Sequence, residues 1–326
     1  MTFPLSPAIT AAQGAELLDR VRALVATRVV GQDATIADTL VAFLARGHVL
    51  VEGVPGTAKT LLVRSLSAAL GLRFARIQFT PDLMPSDVTG VNVLRDPARG
   101  FEFQPGPVFT DLLLGDEINR APAKTQAALL EAMAERQVTV DGVSRALGPT
   151  FTVFATQNPV EHEGTYPLPE AQLDRFLIKA VMPYPSRGAE LELLARYERG
   201  FDAERLDDAA MPGALTPADA VMLRGLVDGV RVAEDVRAYI TDVTRLTREE
   251  RMLALGASPR ATVALFRAAR AVAVLEGRDF VTPDDVKGIA PAVLRHRIAL
   301  SPELEVEGRT ADDVLAALLD RVKVPE

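Results

Sequence analysis

One short segment constrains the fold more than any other part of the sequence. Residues 53–60 read GVPGTAKT and follow the apolar run HVLV at 48–51. A strand that leads through a glycine-containing loop into a helix points several backbone N–H groups at one place, and the helix N-terminus adds positive charge there. The segment is therefore typical of a phosphate-binding loop, in which Lys59 reaches the β- and γ-phosphates of a nucleotide and Thr60 offers its hydroxyl to Mg²⁺. The plainer alternative is a glycine-proline turn with an incidental lysine.

Position 58 departs from the usual form of this loop, because Ala58 stands where glycine normally precedes the lysine. If the backbone there is left-handed, alanine costs about 1 kcal/mol relative to glycine. The segment that follows has leucines four residues apart, which indicates a helix, and Gly71 is a typical end for it. A strand, a loop and a helix in this order favour phosphate binding over the plain turn.

A second apolar run, LLL at 112–114, ends in Gly115, Asp116 and Glu117. Because ligand sites in parallel α/β sheets form at the carboxyl ends of strands, two adjacent carboxylates at such an end complement a phosphate-binding loop. We expect Asp116 to hold Mg²⁺ through water, and Glu117 to orient and deprotonate the attacking water as a general base. The alternative is an Asp-Glu pair that merely ends a strand.

Three later residues carry chemistry that would complete such a site. Asn158 follows the apolar run at 151–155, where its amide could place water beside a γ-phosphate; an Asx-turn is the alternative. Arg175 lies at the end of a predicted helix, where an ion pair with Asp174 would also explain it. Arg260 lies in the first turn of a later helix, against that helix's own dipole, so an anionic partner explains it better than exposure without a role.

The predicted secondary-structure pattern changes near residue 183. The chain has 326 residues, which is longer than a typical single domain. Before that point short apolar runs alternate with helical patterns, which predicts a parallel α/β sheet, and after it almost every segment reads as helix. We expect an α/β core at 1–184, with hairpins near 88–103 and 138–147, and an all-helical domain at 185–326. The predicted core strands are 48–51, 74–79, 112–114 and 151–155.

Composition argues against several classes of function. The chain has no cysteine, so it has no disulfide framework, no thiolate metal site and no cysteine nucleophile. Its formal net charge of −8 argues against broad binding of nucleic acid, which depends on Lys and Arg meeting phosphates. No apolar stretch approaches about 20 residues and the N-terminal segment lacks a basic region, so neither a membrane span nor a signal peptide is expected. We expect a soluble, cytoplasmic protein.

The order of these features resembles that of the AAA+ ATPases, and the amino-acid sequence of the motifs most resembles the MoxR-like branch of that family. Residues 116–126 read DEINRAPAKTQ, and residues 155–176 read ATQNPVEHEGTYPLPEAQLDRF. The segment GASPRA at 256–261 and the residues 282–297 are similar to the lid of that family. The resemblance covers about residues 14–300. It implies an α/β fold in which an AAA+ P-loop αβα core with a parallel sheet is followed by a smaller all-α lid.

The resemblance also implies ligands and their contacts. ATP or ADP and Mg²⁺ would bind between core and lid, with Asp116 and Thr60 at the metal and Glu117 as the catalytic base. Val30 and Gly31 would clasp the adenine from the N-terminal side. The residues expected to contact the nucleotide are Val30, Gly31, Gly53, Pro55, Gly56, Thr57, Ala58, Lys59, Thr60, Leu61 and Arg260.

Four residues besides Glu117 take catalytic or sensing roles by position in the same resemblance. Lys59 and Asn158 would act on the γ-phosphate, Asn158 as sensor 1. Arg175 would be the arginine finger that reaches the γ-phosphate of a neighbouring subunit, and Arg120 is an alternative for that part. Arg260 would be sensor 2, which reports the nucleotide to the lid.

At the level of function, the resemblance implies an ATP-hydrolysing motor that assembles as a homo-oligomeric, hexameric ring, because an arginine supplied in trans makes hydrolysis depend on assembly. MoxR-like proteins are regarded as chaperones that mature or remodel partner complexes, and their partners often carry von Willebrand factor A domains. We expect such a partner to be a separate chain, and the client to be a protein. The alternatives are the ATPase subunit of a metal-chelatase-like complex and a nucleotide-gated assembly scaffold with little turnover.

Overall fold

The computed structural model describes residues 9–96, 100–157, 166–203 and 211–325. The helices are α1 (Ala11–Ala26), α2 (Asp33–Leu44), α3 (Lys59–Ala69), α4 (Pro85–Thr89), α5 (Ala123–Glu135), α6 (Glu170–Leu173), α7 (Arg187–Glu198), α8 (Pro217–Gly229), α9 (Glu234–Glu249), α10 (Pro259–Leu275), α11 (Pro283–Leu294), α12 (Pro302–Val306) and α13 (Ala311–Leu319). The strands are β1 (Val49–Glu52), β2 (Phe74–Gln78), β3 (Gly90–Asp96), β4 (Gly100–Pro105), β5 (Leu112–Asp116), β6 (Gln137–Val140), β7 (Val143–Ala146), β8 (Thr152–Gln157), β9 (Ile178–Val181), β10 (Leu253–Leu255) and β11 (Ala299–Leu300).

Five strands form a parallel central sheet in the order β2-β5-β8-β1-β9. The runs at 49–51, 112–114 and 152–155 are buried throughout, as expected of parallel strands that are covered on both faces. The four strands predicted from the sequence are confirmed to within two residues at either end. The fifth, β9, was not predicted. In this order β1, β8 and β5 lie side by side, so the segments that follow them meet at one edge of the sheet.

The helical second half packs against the N-terminal helices through one continuous apolar core. Leu18 of α1, Leu40 of α2 and Leu265 of α10 are fully buried in the same cluster. A buried cation adds a second link, because Arg224 of α8 donates to the carbonyl oxygen of Pro149 at 2.5 Å, just before β8. Burial, helped by other arginines nearby, lowers the pKa of Arg224 to about 9. The lid is therefore held by packing that involves α1 and α2.

Local sequence explains where several of the lid helices begin. α8, α11 and α13 each start after a threonine that caps the helix. The threonine hydroxyl accepts from the backbone N–H of an aspartate three residues later, and the carboxylate of that aspartate accepts from the threonine backbone N–H. The expectation of a purely helical lid needs one amendment. The loop after α11 returns beside the end of α9 and forms the short antiparallel pair β10–β11. In the part of the chain that the structure describes, no helix has the length and apolarity needed to cross a bilayer.

Both predicted hairpins are confirmed, as β3–β4 and β6–β7. They contact one another, since the Asn92 amide donates to Asp141 Oδ2 at 2.6 Å. The Arg145 guanidinium also lies 3.9 Å from the ring centroid of Phe103. The hairpins thus form one unit, the hairpin unit.

Candidate functional site

The predicted phosphate-binding loop connects β1 to α3. Ala58, the residue before α3, has φ 67° and ψ 27°, so its backbone is left-handed as suspected from the sequence. Gly56 also has a positive φ, of 83°, and its missing side chain faces open space. Gly53 is required for a different reason, because a Cβ there would lie 2.8 Å from the carbonyl oxygen of Met182. The loop therefore approaches β9 closely on one side and is open on the other.

Lys59 points back into this loop. Its Nζ donates to the carbonyl oxygen of Gly53 at 2.6 Å and to that of Val54 at 2.9 Å. Burial lowers the pKa of Lys59, while the carboxylates of Asp116 and Glu117 act in the opposite direction. An ammonium held at carbonyl oxygens near two carboxylates is available to an anion that offers stronger acceptors.

The two predicted carboxylates lie across from the loop. Asp116 is the last residue of β5, and Glu117 follows it with φ 57° and ψ 51°. A left-handed glutamate costs on the order of 1–3 kcal/mol and persists only where the surroundings enforce it, which is characteristic of functional sites. Both residues, with Lys59 and Thr60, line one cavity of about 480 Å³. The structure thus brings together the residues that the sequence assigned to phosphate and metal.

Thr156, near the end of β8, connects Asp116 to the backbone of Glu117. Its hydroxyl donates to Asp116 Oδ1 at 2.6 Å and accepts from the Glu117 backbone N–H at 2.9 Å. The side chain is buried, so both bonds form away from water. Sequence reasoning missed this role, although a hydroxyl at the end of the strand beside β5 was a usable signal.

Side chains of the edge strand β2 also contact the carboxylates. Arg76 donates to Asp116 Oδ2 at 2.7 Å and to Gln78 Oε1 at 2.8 Å. Gln78 in turn donates to Glu117 Oε2 at 2.9 Å, and Arg120 Nε lies 3.0 Å from the same oxygen. A continuous chain of hydrogen bonds therefore links the proposed metal ligand to the proposed base.

The oxygen donors at this site suit Mg²⁺. Asp116 and Thr60 supply a carboxylate and a hydroxyl to the same cavity as the phosphate-binding loop. Mg²⁺ is usually held by one or two protein oxygens together with substrate phosphates and water. Among the described residues there is no cluster of three or more His, Cys, Asp or Glu side chains that could hold a metal alone. The donor set thus fits a metal that arrives with a nucleotide.

The remaining wall of the cavity is apolar. Leu193 and Tyr197 of α7, and Phe201 and Ala203 just beyond it, face the phosphate-binding loop. The rings of Tyr197 and Phe201 pack edge to face, with centroids 5.6 Å apart and planes at 88°. No sequence pattern predicts this segment at the site, because it lies more than seventy residues after the carboxylates.

Comparison with known proteins agrees with this geometry. The family described as "ATPase family associated with various cellular activities (AAA)" matches residues 48–178, and the AAA lid domain matches residues 245–318. A solved structure from Cytophaga hutchinsonii, described as a candidate ATPase, superposes with a TM-score of 0.87 over 97% of both chains at 38% identity. "Uncharacterized protein YeaC" of Bacillus subtilis is 48% identical over 88% of each chain.

"Chaperone MoxR1" of Mycobacterium tuberculosis is 42% identical over 91% of this chain and 80% of its own length. The chain belongs to the MoxR family of AAA+ ATPases. It is therefore an ATPase-family protein with a nucleotide-binding core and a lid, as the sequence resemblance implied.

Arg175 and Arg260, which the MoxR resemblance assigned to the γ-phosphate, lie away from the nucleotide cavity of their own chain. Arg175 and Arg260 both line a cleft of about 490 Å³ between the core and α10. In the described part of the chain, none of the residues that line this cleft also lines the cavity at the phosphate-binding loop. The geometry thus separates Arg260 from the nucleotide cavity of its own chain, and its role as sensor 2 stays a prediction. The separation arises because the lid packs on α1 and α2 and so places the start of α10 beside α6.

Asp174 fixes the two sides of this arginine cleft to each other. Its carboxylate accepts from Arg297 Nε at 2.7 Å and from the hydroxyl of Ser258, the residue before α10, at 3.1 Å. Arg175 donates to the carbonyl oxygen of Leu130 at 2.6 Å. The turn that carries Arg175 and the helix start that carries Arg260 are therefore held side by side.

The arginine cleft carries unbalanced positive charge. Burial, the neighbouring Arg267 and then Arg46 lower the pKa of Arg136, and burial and Arg46 do the same to Arg267. Such shifts show that cations are held together at an electrostatic cost. An anion in the cleft would offset this cost.

The other sequence-assigned residues divide in a simple way. Those that line the cavity at the phosphate-binding loop are Pro55, Gly56, Thr57, Ala58, Lys59, Thr60, Leu61, Asp116 and Glu117. Val30, Gly31 and Gly53 do not line it. A Cβ on Gly31 would lie 2.6 Å from the Cβ of Ala189, so the segment that contains Val30 and Gly31 abuts α7. Asn158, the expected sensor 1, lies outside the described residues. Arg120, the alternative finger, contacts Glu117 of its own chain.

Proposed function

We propose that this MoxR-family chain hydrolyses ATP in a Mg²⁺-dependent reaction and uses the energy as a chaperone that remodels or matures partner protein complexes. The observation that carries the ATPase part is the shared cavity of about 480 Å³, in which Lys59 and Thr60 face Asp116 and Glu117. A phosphate-binding loop alone would support binding; a carboxylate placed as a base supports turnover.

Each side chain has a definable task in this reaction. The backbone N–H groups of the loop and the Lys59 ammonium bind the phosphates, and for this Nζ exchanges the carbonyl oxygens of Gly53 and Val54 for phosphate oxygens. Asp116 and Thr60 would hold Mg²⁺, which when bound neutralises charge on the phosphate oxygens. Glu117 Oε accepts the proton of the attacking water, and Thr156 ties the backbone of Glu117 to the Asp116 carboxylate.

The arginine cleft supports assembly. Since Arg175 and Arg260 do not line the cavity of their own chain, we propose that they act on the nucleotide of a neighbouring copy. One surface carries the nucleotide and a different surface carries the arginines, so the contact between copies is head to tail and closes into a ring. A hexamer is the ring we propose.

Two observations support the proposed chaperone role: one relative is named as a chaperone, and the hairpin unit exposes apolar side chains. Leu94, Phe101 and Val143 on the hairpins are 50%, 73% and 52% exposed, which is unusual for large apolar side chains and suits contact with another protein. We propose a protein client and a separate protein partner that carries a von Willebrand factor A domain, with no part for nucleic acid. A chain without cysteine suits the reducing cytoplasm, where we place this activity.

The test is steady-state phosphate release by the full chain, together with its affinity for ATP. Glu117→Gln should release phosphate at least about 100-fold more slowly while it binds ATP as tightly as wild type, because the amide keeps the shape and cannot accept the proton. Glu131→Gln, an exposed change on α5, is the matched control and should keep the wild-type rate. Equally slow release by wild type and Glu117→Gln would support the scaffold alternative instead.

The same variant tests the chaperone role. Immobilised Glu117→Gln in ATP should retain protein partners and release them in ADP. Recovery of nucleic acid without protein would contradict a remodelling function.

A further inference from the structure

The apolar wall of the nucleotide cavity has no part in the chemistry of the phosphates. The phosphate-binding loop and the carboxylates account for one side of the cavity, whereas Leu193, Tyr197 and Phe201 supply most of the other. Triphosphate held at Lys59 leaves the sugar and base of a nucleotide to extend toward this second side. A planar base needs a face of matching size, and aromatic rings provide one for any base.

The aromatic pair is fixed in place before any ligand binds. Tyr197 and Phe201 support one another edge to face at 5.6 Å. The helix α7, which carries Tyr197, is tied to the end of α1, because Arg196 donates to the carbonyl oxygens of Ala26 at 2.9 Å and Thr27 at 2.6 Å. Preorganised rings lose little side-chain entropy when a ligand stacks on them.

α7 is also fastened at its start. The Ser186 hydroxyl accepts from the Ala189 backbone N–H at 3.2 Å and so caps the helix. On the outside, Gly31 packs so closely on Ala189 that a Cβ at position 31 would clash with it. The segment expected to clasp the adenine therefore braces the helix that carries the rings.

Tyr197 is available for stacking. Its side chain is 48% exposed although it lines the cavity, so part of its ring is open to a ligand. Phe201 meets Tyr197 edge to face and so holds that ring in its orientation. An exposed aromatic ring at the open side of a phosphate-binding cavity is the arrangement expected of a base-binding platform.

We infer that Tyr197, supported by Phe201, is the platform on which the base of the bound nucleotide stacks, and that it makes the site prefer purine over pyrimidine triphosphates. A purine offers a larger π face than a pyrimidine. The inference rests on the proposed ATP-binding function and adds to it the residues that recognise the base.

The experiment is calorimetric titration of the full chain carrying Glu117→Gln, so that ATP is bound and not consumed. The ligands are ATP, UTP and inorganic tripolyphosphate, each with Mg²⁺. In this background Tyr197→Ala should weaken ATP binding by about 5-fold to 100-fold, the range that loss of one stacked base produces. Affinity for tripolyphosphate should change by less than about twofold, because the rings do not touch phosphate, and the ATP-over-UTP preference should shrink.

Two further variants separate stacking from structure. Tyr197→Phe keeps the ring and should bind ATP like the parent. Leu194→Ala removes a 63% exposed side chain from the same helix, outside the cavity, and should also have no effect. Unchanged ATP affinity in Tyr197→Ala, or an equal loss for ATP and tripolyphosphate, would overturn the inference. If the parent binds neither ATP nor tripolyphosphate, the proposed function itself is wrong.

Discussion

A half-buried carboxyl group between core and lid yields a quantitative prediction. Asp38 lies on α2, facing the end of α11 and the start of α13. Burial raises its pKa from 3.8 to about 6; Arg295 opposes the rise and Asp312 adds to it. The folded protein therefore pays a free-energy cost for keeping Asp38 ionised near neutral pH.

That cost follows from the two pKa values. One pKa unit corresponds to about 1.36 kcal/mol, so a rise from 3.8 to about 6 destabilises the folded state by about 3 kcal/mol where the carboxyl is ionised in both states. A raised carboxyl pKa means that this penalty is fully present above about pH 6 and fades as the pH falls toward 3.8. Asp38→Asn should thus raise the free energy of unfolding by about 3 kcal/mol at pH 8 and by about half of that at pH 5.

Urea denaturation at the two pH values measures this difference. Asp19→Asn on α1, whose side chain is 67% exposed, is the control and should show no pH-dependent change in stability relative to wild type. A gain from Asp38→Asn that is the same at pH 5 and pH 8, or a loss at pH 8, would show that the attraction of the Arg295 charge outweighs the penalty of burial at Asp38.

Three other substitutions test parts of the nucleotide site. Thr156→Val removes the bonds to the Asp116 carboxylate and to the Glu117 backbone N–H and should lower the rate of ATP hydrolysis at least about 10-fold, whereas Thr156→Ser should preserve it. Arg76→Ala removes a cation that competes for Asp116, so half-maximal activity should need about 2-fold to 5-fold less Mg²⁺; Arg73→Ala, which loses a pair with Asp111 instead, should not shift that requirement. Ala58→Gly relieves the left-handed strain and should leave the free energy of unfolding equal or up to about 1 kcal/mol higher, while Ala58→Val should lower it; urea denaturation measures both.

Local signals in the sequence were enough to predict most of the core. The apolar runs at 48–51 and 112–114 are bounded by glycines or charges, so their limits and their class could be predicted. β9 was not predicted, because a strand of four residues that contains Lys179 and lies close to two prolines is too short to show a hydrophobic pattern. Its place beside β1 is set by long-range pairing, which no short window contains.

The candidate site was predictable only where one segment holds the chemistry. The loop at 53–60 and the pair Asp116-Glu117 are contiguous, and the structure brings them together as expected. The direction of Arg260 could not be predicted from the sequence for a physical reason: it depends on how the lid packs against α1 and α2. Tyr197 was missed altogether, since nothing local distinguishes it from an aromatic residue on any helix.

The central claim is that the cavity at the phosphate-binding loop and the arginine cleft are two halves of one active site, contributed by neighbouring copies. Co-expression of two differently tagged inactive variants, Glu117→Gln and Arg175→Ala, tests it by steady-state phosphate release from purified mixed assemblies. Each variant alone should be nearly inactive. The mixture should recover about a quarter of the wild-type rate, since random assembly pairs an intact Glu117 with a neighbour's intact Arg175 at one site in four. A mixture no more active than the separate variants would contradict the claim.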